Sequence, residues 1–222
     1  MKDLLPILEA PPGDMVMFTI PCGMKRNFSV KLVENRMEML GYASGSPQPG
    51  VAKCGDIPFL IKRDGSWLYQ GTPIARKSMI CLLASLLTRD ENGRYLLESP
   101  AERGLIDVED APLVVVAMKW QGAGRKQELS FLTNTDECIK AGPAHELRVA
   151  YNLARQGPVP YLHVRDGKGK FPVEARINRS TYYELVALAE PGIKDGHEVL
   201  GVWSGGIFFP IGNLPAKGTD LF

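Results

Sequence analysis

Between residues 104 and 177 the chain offers seven short strand candidates, at 104–108, 113–120, 127–133, 137–141, 147–151, 159–165 and 173–177. Turn formers separate them: Asp110-Ala111-Pro112, Gly122-Ala123-Gly124, Asn134, Gly142-Pro143, Gly157-Pro158 and Asp166-Gly167. Short apolar runs punctuated this often cannot become long helices, so the segment is confined to a small, tightly turning sheet. The 23 glycines and 17 prolines, about 18% of the chain against a usual ~12%, serve the same end. A helix closes the run. Thr181-Tyr182-Tyr183-Glu184 has capping-box spacing, and Tyr182, Leu185, Val186, Leu188 and Ala189 continue an apolar face to Pro191-Gly192.

Strands followed by one amphipathic helix give the element order of a pleckstrin-homology-like barrel, the helix plugging one end of a bent sheet. Upstream, residues 57–63 and 66–70 flank Asp64-Gly65, a hairpin signal that predicts a type I′ turn. Thr72 then reads as an N-cap and Pro73 as the first residue of a helix over 74–87. Residues 1–53 differ: 15–20 and 27–33 are strand candidates, and the Gly-, Ser- and Pro-rich stretch 41–50 reads as a linker. The expected fold is thus α+β and two-part. It comprises an extension or small subdomain at 1–53, a hairpin-and-helix domain at 54–98, and a pleckstrin-homology-like barrel with a terminal hairpin at 99–215.

Pro58-Phe-Leu-Ile-Lys-Arg-Asp-Gly65 and Pro160-Tyr-Leu-His-Val-Arg-Asp-Gly167 rhyme at an offset of 102. The same offset pairs Lys77-Ser78 with Arg179-Ser180, and Leu83 with Leu185. An internal duplication of a strand–turn–helix unit is expected.

Charge narrows the partners. With 26 basic and 25 acidic residues the net charge is +1, without the basic excess of a duplex binder. Neither DNA nor RNA is expected, nor a membrane surface, since the balance lacks a polybasic patch. Residues 4–8 are too short an apolar core for a secretory signal, and no apolar run could span a bilayer. Cys22, Cys54, Cys81 and Cys138 form no C-x-x-C pair and predict unpaired thiols in a reducing cytoplasm, with no metal site. Gly122-Ala-Gly-Arg-Lys126 lacks the third glycine and following helix of a dinucleotide loop and reads as a hairpin turn. Gly201-Val-Trp-Ser204 places its serine one position too late for a nucleophile elbow. His163 reads as a satisfied structural histidine and Glu109-Asp110 as an exposed strand end.

The chain resembles a bacterial domain-of-unknown-function family, number 1285, over about residues 54–214. The matching pieces include Cys54-Gly-Asp56, Arg63-Asp-Gly-Ser-Trp67, Gly71-Thr-Pro-Ile74, Val108-Glu-Asp-Ala-Pro112, Phe131-Leu-Thr-Asn134, Tyr161-Leu-His-Val164, Arg179-Ser-Thr-Tyr-Tyr183 and Gly201-Val-Trp-Ser204. The resemblance implies a duplicated α+β protein with a pleckstrin-homology-like second part. It implies no enzyme activity, but a regulatory or signalling role with a nucleotide-like ligand between the parts.

From the residues themselves, candidate ligand contacts are Arg63, Trp67, Tyr69, Thr72 and Arg76 in the first half, and Arg165 and Trp203 in the second. Arginine forks two N–H bonds to an anion and tryptophan offers a flat face to a ring. The tryptophans can equally fill a seam between the parts. The apolar 74–88 helix should pack also on the second half, placing 71–77 at that seam. The expected function is ligand binding or regulation without catalysis and without a cofactor, the ligand being small, anionic and nucleotide-like. The alternatives are a small hydrolase or transferase acting on a nucleotide-like substrate, and a protein-interaction module with a protein partner.

Overall fold

A computed structural model describes residues 17–22, 26–33, 36–40, 54–99, 103–152 and 157–213. The linker-like stretch 41–50 and residues 1–14 lie outside the described residues. In chain order, β1 (Met17–Cys22), β2 (Arg26–Val33) and β3 (Arg36–Leu40) form an antiparallel three-stranded sheet. Two compact units are distinguished, the first comprising Met1–Glu109 with Gly167–Phe171, the second Asp110–Asp166 with Pro172–Phe222.

The first unit's larger sheet takes β4 (Cys54–Ile61), β5 (Trp67–Tyr69), β6 (Thr72–Pro73), β7 (Leu87–Arg89), β8 (Tyr95–Glu98) and β9 (Arg103–Val108). The order across it is β6-β5-β4-β9-β8-β7, with β4 and β9 parallel at the centre. Residues 104–108 therefore belong to this sheet, not to the run that follows. Helix α1 (Lys77–Ser85) lies between β6 and β7 in sequence. It starts three residues later than expected because Thr72 and Pro73 pair with Tyr69 and Leu68 as an edge strand, where a proline leaves no ladder bond unmade. The N-cap is Arg76, not Thr72, and its side chain makes no capping bond. Leu87 leaves the helix for β7. Ile61, Trp67, Leu83, Ala84, Leu87, Leu96 and Leu97 fill this unit's core.

The Asp64-Gly65 turn is not type I′, because only the glycine has positive φ, 85°. Gly65 N donates to Lys62 O and Lys62 N to Ser66 O, both at 2.9 Å, which is a type I turn with a glycine bulge. The Asp64 carboxylate selects it by accepting from Ser66 N and Oγ. Asp90 does the same for Asp90–Arg94, with Gly93 at the positive-φ position.

The second unit repeats the sheet plan. Its strands are β10 (Leu113–Gln121), β11 (Glu128–Thr133), β12 (Cys138–Lys140), β13 (Leu147–Asn152), β14 (Gly157–Arg165) and β15 (Val173–Ile177). Their order is β12-β11-β10-β15-β14-β13, again with the first and last strands parallel at the centre. Helix α2 (Arg179–Ala187) follows the sixth strand. Its N-cap is Asn178, whose Oδ1 accepts from Thr181 N at 2.8 Å, so Thr181 is a buried first-turn residue and not the cap. The small sheet β16 (Glu190–Lys194), β17 (His197–Ser204) and β18 (Ile207–Asn213) completes the unit.

The offset of 102 superposes α1 on α2, yet it sets β4, first in its sheet, against β14, fifth in the other. What the two units share is the sheet order, β4–β9 against β10–β15, as an internal duplication would leave it. The helices sit at different points of that plan. The architecture is α+β with two like six-stranded sheets; in the second unit six strands, not seven, precede α2.

Two ties within units are specific. The segment Gly167–Phe171 docks on the β7–β8 hairpin, where Lys168 N donates to Arg89 O at 2.7 Å and Lys168 Nζ pairs with Glu98. The Arg89 guanidinium lies 4.5 Å from the Tyr95 ring centroid and 5.3 Å from that of Phe171. In the second unit, buried Ser204 accepts from Leu129 N (2.9 Å) and donates to Ala141 O (2.7 Å). The hydroxyl thus stands in for a missing strand partner.

Ser204→Ala orphans both backbone groups and should lower stability by about 1–3 kcal/mol in urea melts. A Cβ on Gly167 would meet Phe171 O at 2.3 Å and Arg89 O at 3.1 Å. Gly167→Ala should therefore cost about 1–3 kcal/mol through overpacking. Gly55→Ala, whose Cβ meets nothing within 4 Å, should stay within about 0.5 kcal/mol in the same assay.

Candidate functional site

Of the first unit's expected contacts, Trp67 is wholly buried and Tyr69 nearly so. Phe59 packs on both, edge-on to Trp67 at 6.4 Å and tilted to Tyr69 at 4.9 Å. A ring with no exposed area offers no stacking face, so Trp67 serves the core. Its Nε1 is enclosed without a hydrogen-bond partner among the described residues. Arg63 sits in the exposed turn, its backbone N–H donating to Glu109 Oε2 at 2.9 Å. Thr72 is exposed on edge strand β6. Arg76 is half-buried before α1; its carbonyl accepts from Met79 N and Ile80 N, and its side chain makes no ion pair among the described residues.

In the second unit Arg165 lies 3.6 Å from Glu137 and is partly neutralised by it. Trp203 is half-buried on β17, tilted against Phe208 at 5.2 Å. Its carbonyl accepts from Gln127 Nε2 at 3.0 Å, which ties it to the base of the β10–β11 connection. The Arg125 guanidinium covers the Trp203 ring at 5.1 Å from its centroid. The connection itself is the expected hairpin turn, tightened by a 3-10 turn at Gly124–Lys126 with φ of 76° at Gly122 and 53° at Gly124.

This hairpin tip carries what the choice of site residues missed. Residues 117–126 hold Lys119, Arg125 and Lys126 and no acid. None of these three cations is ion-paired among the described residues. Glu128, close by, is already engaged by Gln121 and then Lys140, which hold its carboxyl below the usual range. The signal was legible as a cationic, aromatic window, but a turn reading absorbed it.

Across β13, β14 and β15 a second polar cluster has the opposite character. Arg148, Tyr161 and Arg176 stand directly opposite one another on one sheet face. Arg148 forks onto Glu174, with Nη2 to Oε2 at 2.6 Å, and lies 4.4 Å from the Tyr161 ring centroid. Tyr161 donates to Asp110 Oδ1 at 2.7 Å, and Arg176 lies 3.4 Å from Asp110 Oδ2. Asp110, expected as an exposed strand end, is thus largely buried and paired. His163 Nε2 is 3.0 Å from Asp166 Oδ1, while its Nδ1 is enclosed without a partner, so the histidine is satisfied on one side only. Cations already matched by carboxylates have little to gain from an added anion, and this cluster reads as structural.

Among the described residues no three His, Cys, Asp or Glu side chains gather to hold a metal ion. Nor is any helix among them long and apolar enough to cross a membrane.

Burial, then the bond to Asp110, pushes the Tyr161 hydroxyl up to about 12. Burial raises Tyr182 as well. A phenol held protonated in the fold and ionised in the unfolded chain contributes stability that is complete below about pH 10 and falls as pH rises toward 12. Denaturant melts from pH 9 to 12 should show that fall, and Tyr161→Phe should flatten part of it.

Family models match both units. The one described as Domain of unknown function (DUF1285), N-terminal domain, covers residues 48–111. That described as Protein of unknown function (DUF1285), C-terminal domain, covers residues 112–211. The crystal structure of a DUF1285 family protein from Silicibacter pomeroyi DSS-3 is 41% identical, with 78% of this chain and 91% of that one covered and a TM-score of 0.66. Another, from Shewanella baltica OS155, is 24% identical over 59% of this chain and 91% of that one, with a TM-score of 0.45. No curated protein matches. Two adjoining family models and a relative of 41% identity leave one assignment: the chain belongs to the DUF1285 family.

Proposed function

We propose that this protein is a cytoplasmic ligand-binding or regulatory protein, with a role in signalling, that takes a small, anionic, nucleotide-like ligand without turning it over. The observation that carries the reading is Arg125 on Trp203, a guanidinium stacked on an aromatic ring with no carboxylate to neutralise it among the described residues. Such a cation keeps its N–H edge for a phosphate or carboxylate, while the stack fixes it in advance. Among the candidate contacts in the first unit, Arg76 shares the lack of an ion pair, and Thr72 lies four residues before it on the exposed edge. Arg63 and Arg165 are weaker candidates, one on an exposed turn and the other beside Glu137. The finer architectural reading belongs to the same proposal: six strands, α2 and the β16–β18 sheet together make a pleckstrin-homology-like half-barrel. Cys138, exposed and in no disulfide, suits a reducing compartment.

A thermal-shift screen with nucleotides, nucleosides and simple phosphates tests the reading, because a ligand of the native state raises Tm by mass action. Arg125→Ala should weaken the stabilising ligand by about 1.5–3 kcal/mol, the scale of a charged hydrogen bond, and cost the unliganded protein no more than about 0.5–1 kcal/mol, the scale of its contact with Trp203. Arg76→Ala is the matching variant; if it alone removes the shift, the site lies in the first unit. If no anion shifts Tm, the proposal fails. Turnover of a phosphoester or carboxyl ester, abolished by one substitution, would establish the hydrolase alternative instead.

A further inference from the structure

The tip of the β10–β11 hairpin holds one more feature that a small ligand does not explain. Trp120, at the end of β10, is 52% exposed, a large fraction for the largest apolar side chain. Among the described residues its ring stacks on nothing and its Nε1 makes no hydrogen bond. Its cross-strand partner is Leu129, which is fully buried, so Trp120 continues the inner, apolar side of the sheet past the end of the core. Lys119 precedes it on the opposite face of β10 and Lys126 ends the hairpin connection; both are exposed and unpaired among the described residues, and Arg125 adds a third positive charge at the same tip.

We infer that this hairpin tip is a peripheral contact for an anionic lipid surface. Tryptophan, apolar in body with one polar N–H, is favoured at the boundary between headgroups and acyl chains. Each cation held near an anionic leaflet multiplies partitioning by about fivefold, so three give roughly a hundredfold. That is a weak, reversible and salt-sensitive contact, well short of an anchor. The near-neutral charge of the whole chain argued against a membrane surface, yet charge acts locally, and residues 117–126 hold three cations and no acid. A single-stranded nucleic acid fits less well. It needs a groove with successive stacking rings, whereas this is a hairpin tip with one exposed ring.

Co-sedimentation of the full chain with vesicles tests this, comparing pure phosphatidylcholine with vesicles containing about 30% phosphatidylglycerol. Binding should be confined to the anionic vesicles, weaken as salt rises, and shift Trp fluorescence to the blue. Trp120→Ala should lose that blue shift and at least about fivefold of the binding, and Lys119→Glu with Lys126→Glu should abolish pelleting. Both sites are exposed, so unchanged melts of the variants would show that the fold is intact. Absence of pelleting, equal pelleting with neutral vesicles, or indifference to Trp120→Ala would overturn the inference. So would tighter binding to an oligothymidylate than to anionic vesicles. The thermal-shift response to free anions is scored separately with Trp120→Ala, so failure here and failure of the ligand reading are distinguishable.

Discussion

The parallel pairing of first and last strands governs both sheets. β4 lies parallel to β9, and β10 to β15, each pair at the centre of its sheet. Two strands of the same direction cannot be joined by a tight turn. The chain must lay down three strands on one side, cross, and return through three more before the centre is complete. Fully buried residues fall on the paired centres, in Ile61, Leu113, Val115, Ala175 and Ile177, and on the strands beside them, in Trp67, Leu97, Phe131 and Leu162. Of the four outer strands three are short, β13 with six residues being the exception. β6 has two residues and β12 three, which limits the exposed edge open to unwanted pairing.

The charged groups of the second unit divide by whether they are matched. Arg148 and Arg176 have Glu174 and Asp110, and the tyrosine between them binds one of these carboxylates. Such a network is satisfied from within and orders three strands. Among the described residues Arg125 has only the face of Trp203. The two arrangements use the same chemistry, and the presence or absence of a carboxylate separates scaffold from candidate site.

Much of the strand list was legible because alternation and turn residues act locally. In β11 the alternation left both faces apolar-capable, and the fold buries Leu129, Phe131 and Thr133 while leaving Leu132 exposed. Less legible were features decided by distant chain. Thr72 and Pro73 have the chemistry of a helix start, but the β5 edge claims them first. Thr181 has the chemistry of a cap, but Asn178 is hydrogen-bonded through its backbone to Val115 and takes the role. The offset of 102 was real as residue similarity and misleading as topology, since two strand–helix junctions can share capping chemistry without sharing a place in a sheet. Trp203 was expected from its type, and it is half-buried beneath Arg125. Trp67 shares that type and is enclosed in the core, because burial is a property of the fold and not of the residue.

The first unit is assembled from two stretches of chain, and that has a temporal consequence. Segment Gly167–Phe171 leaves the ribosome only after residues 110–166 have been made. At about 5–20 residues per second, that is a wait of roughly 3–12 s. During this interval the β7–β8 hairpin has no Phe171 against Arg89 and no Lys168 for Glu98. The amino-terminal unit is therefore the first to be synthesised and yet cannot be finished first. Its last piece arrives with the chain that builds the second sheet, so the order of translation is not the order of completion.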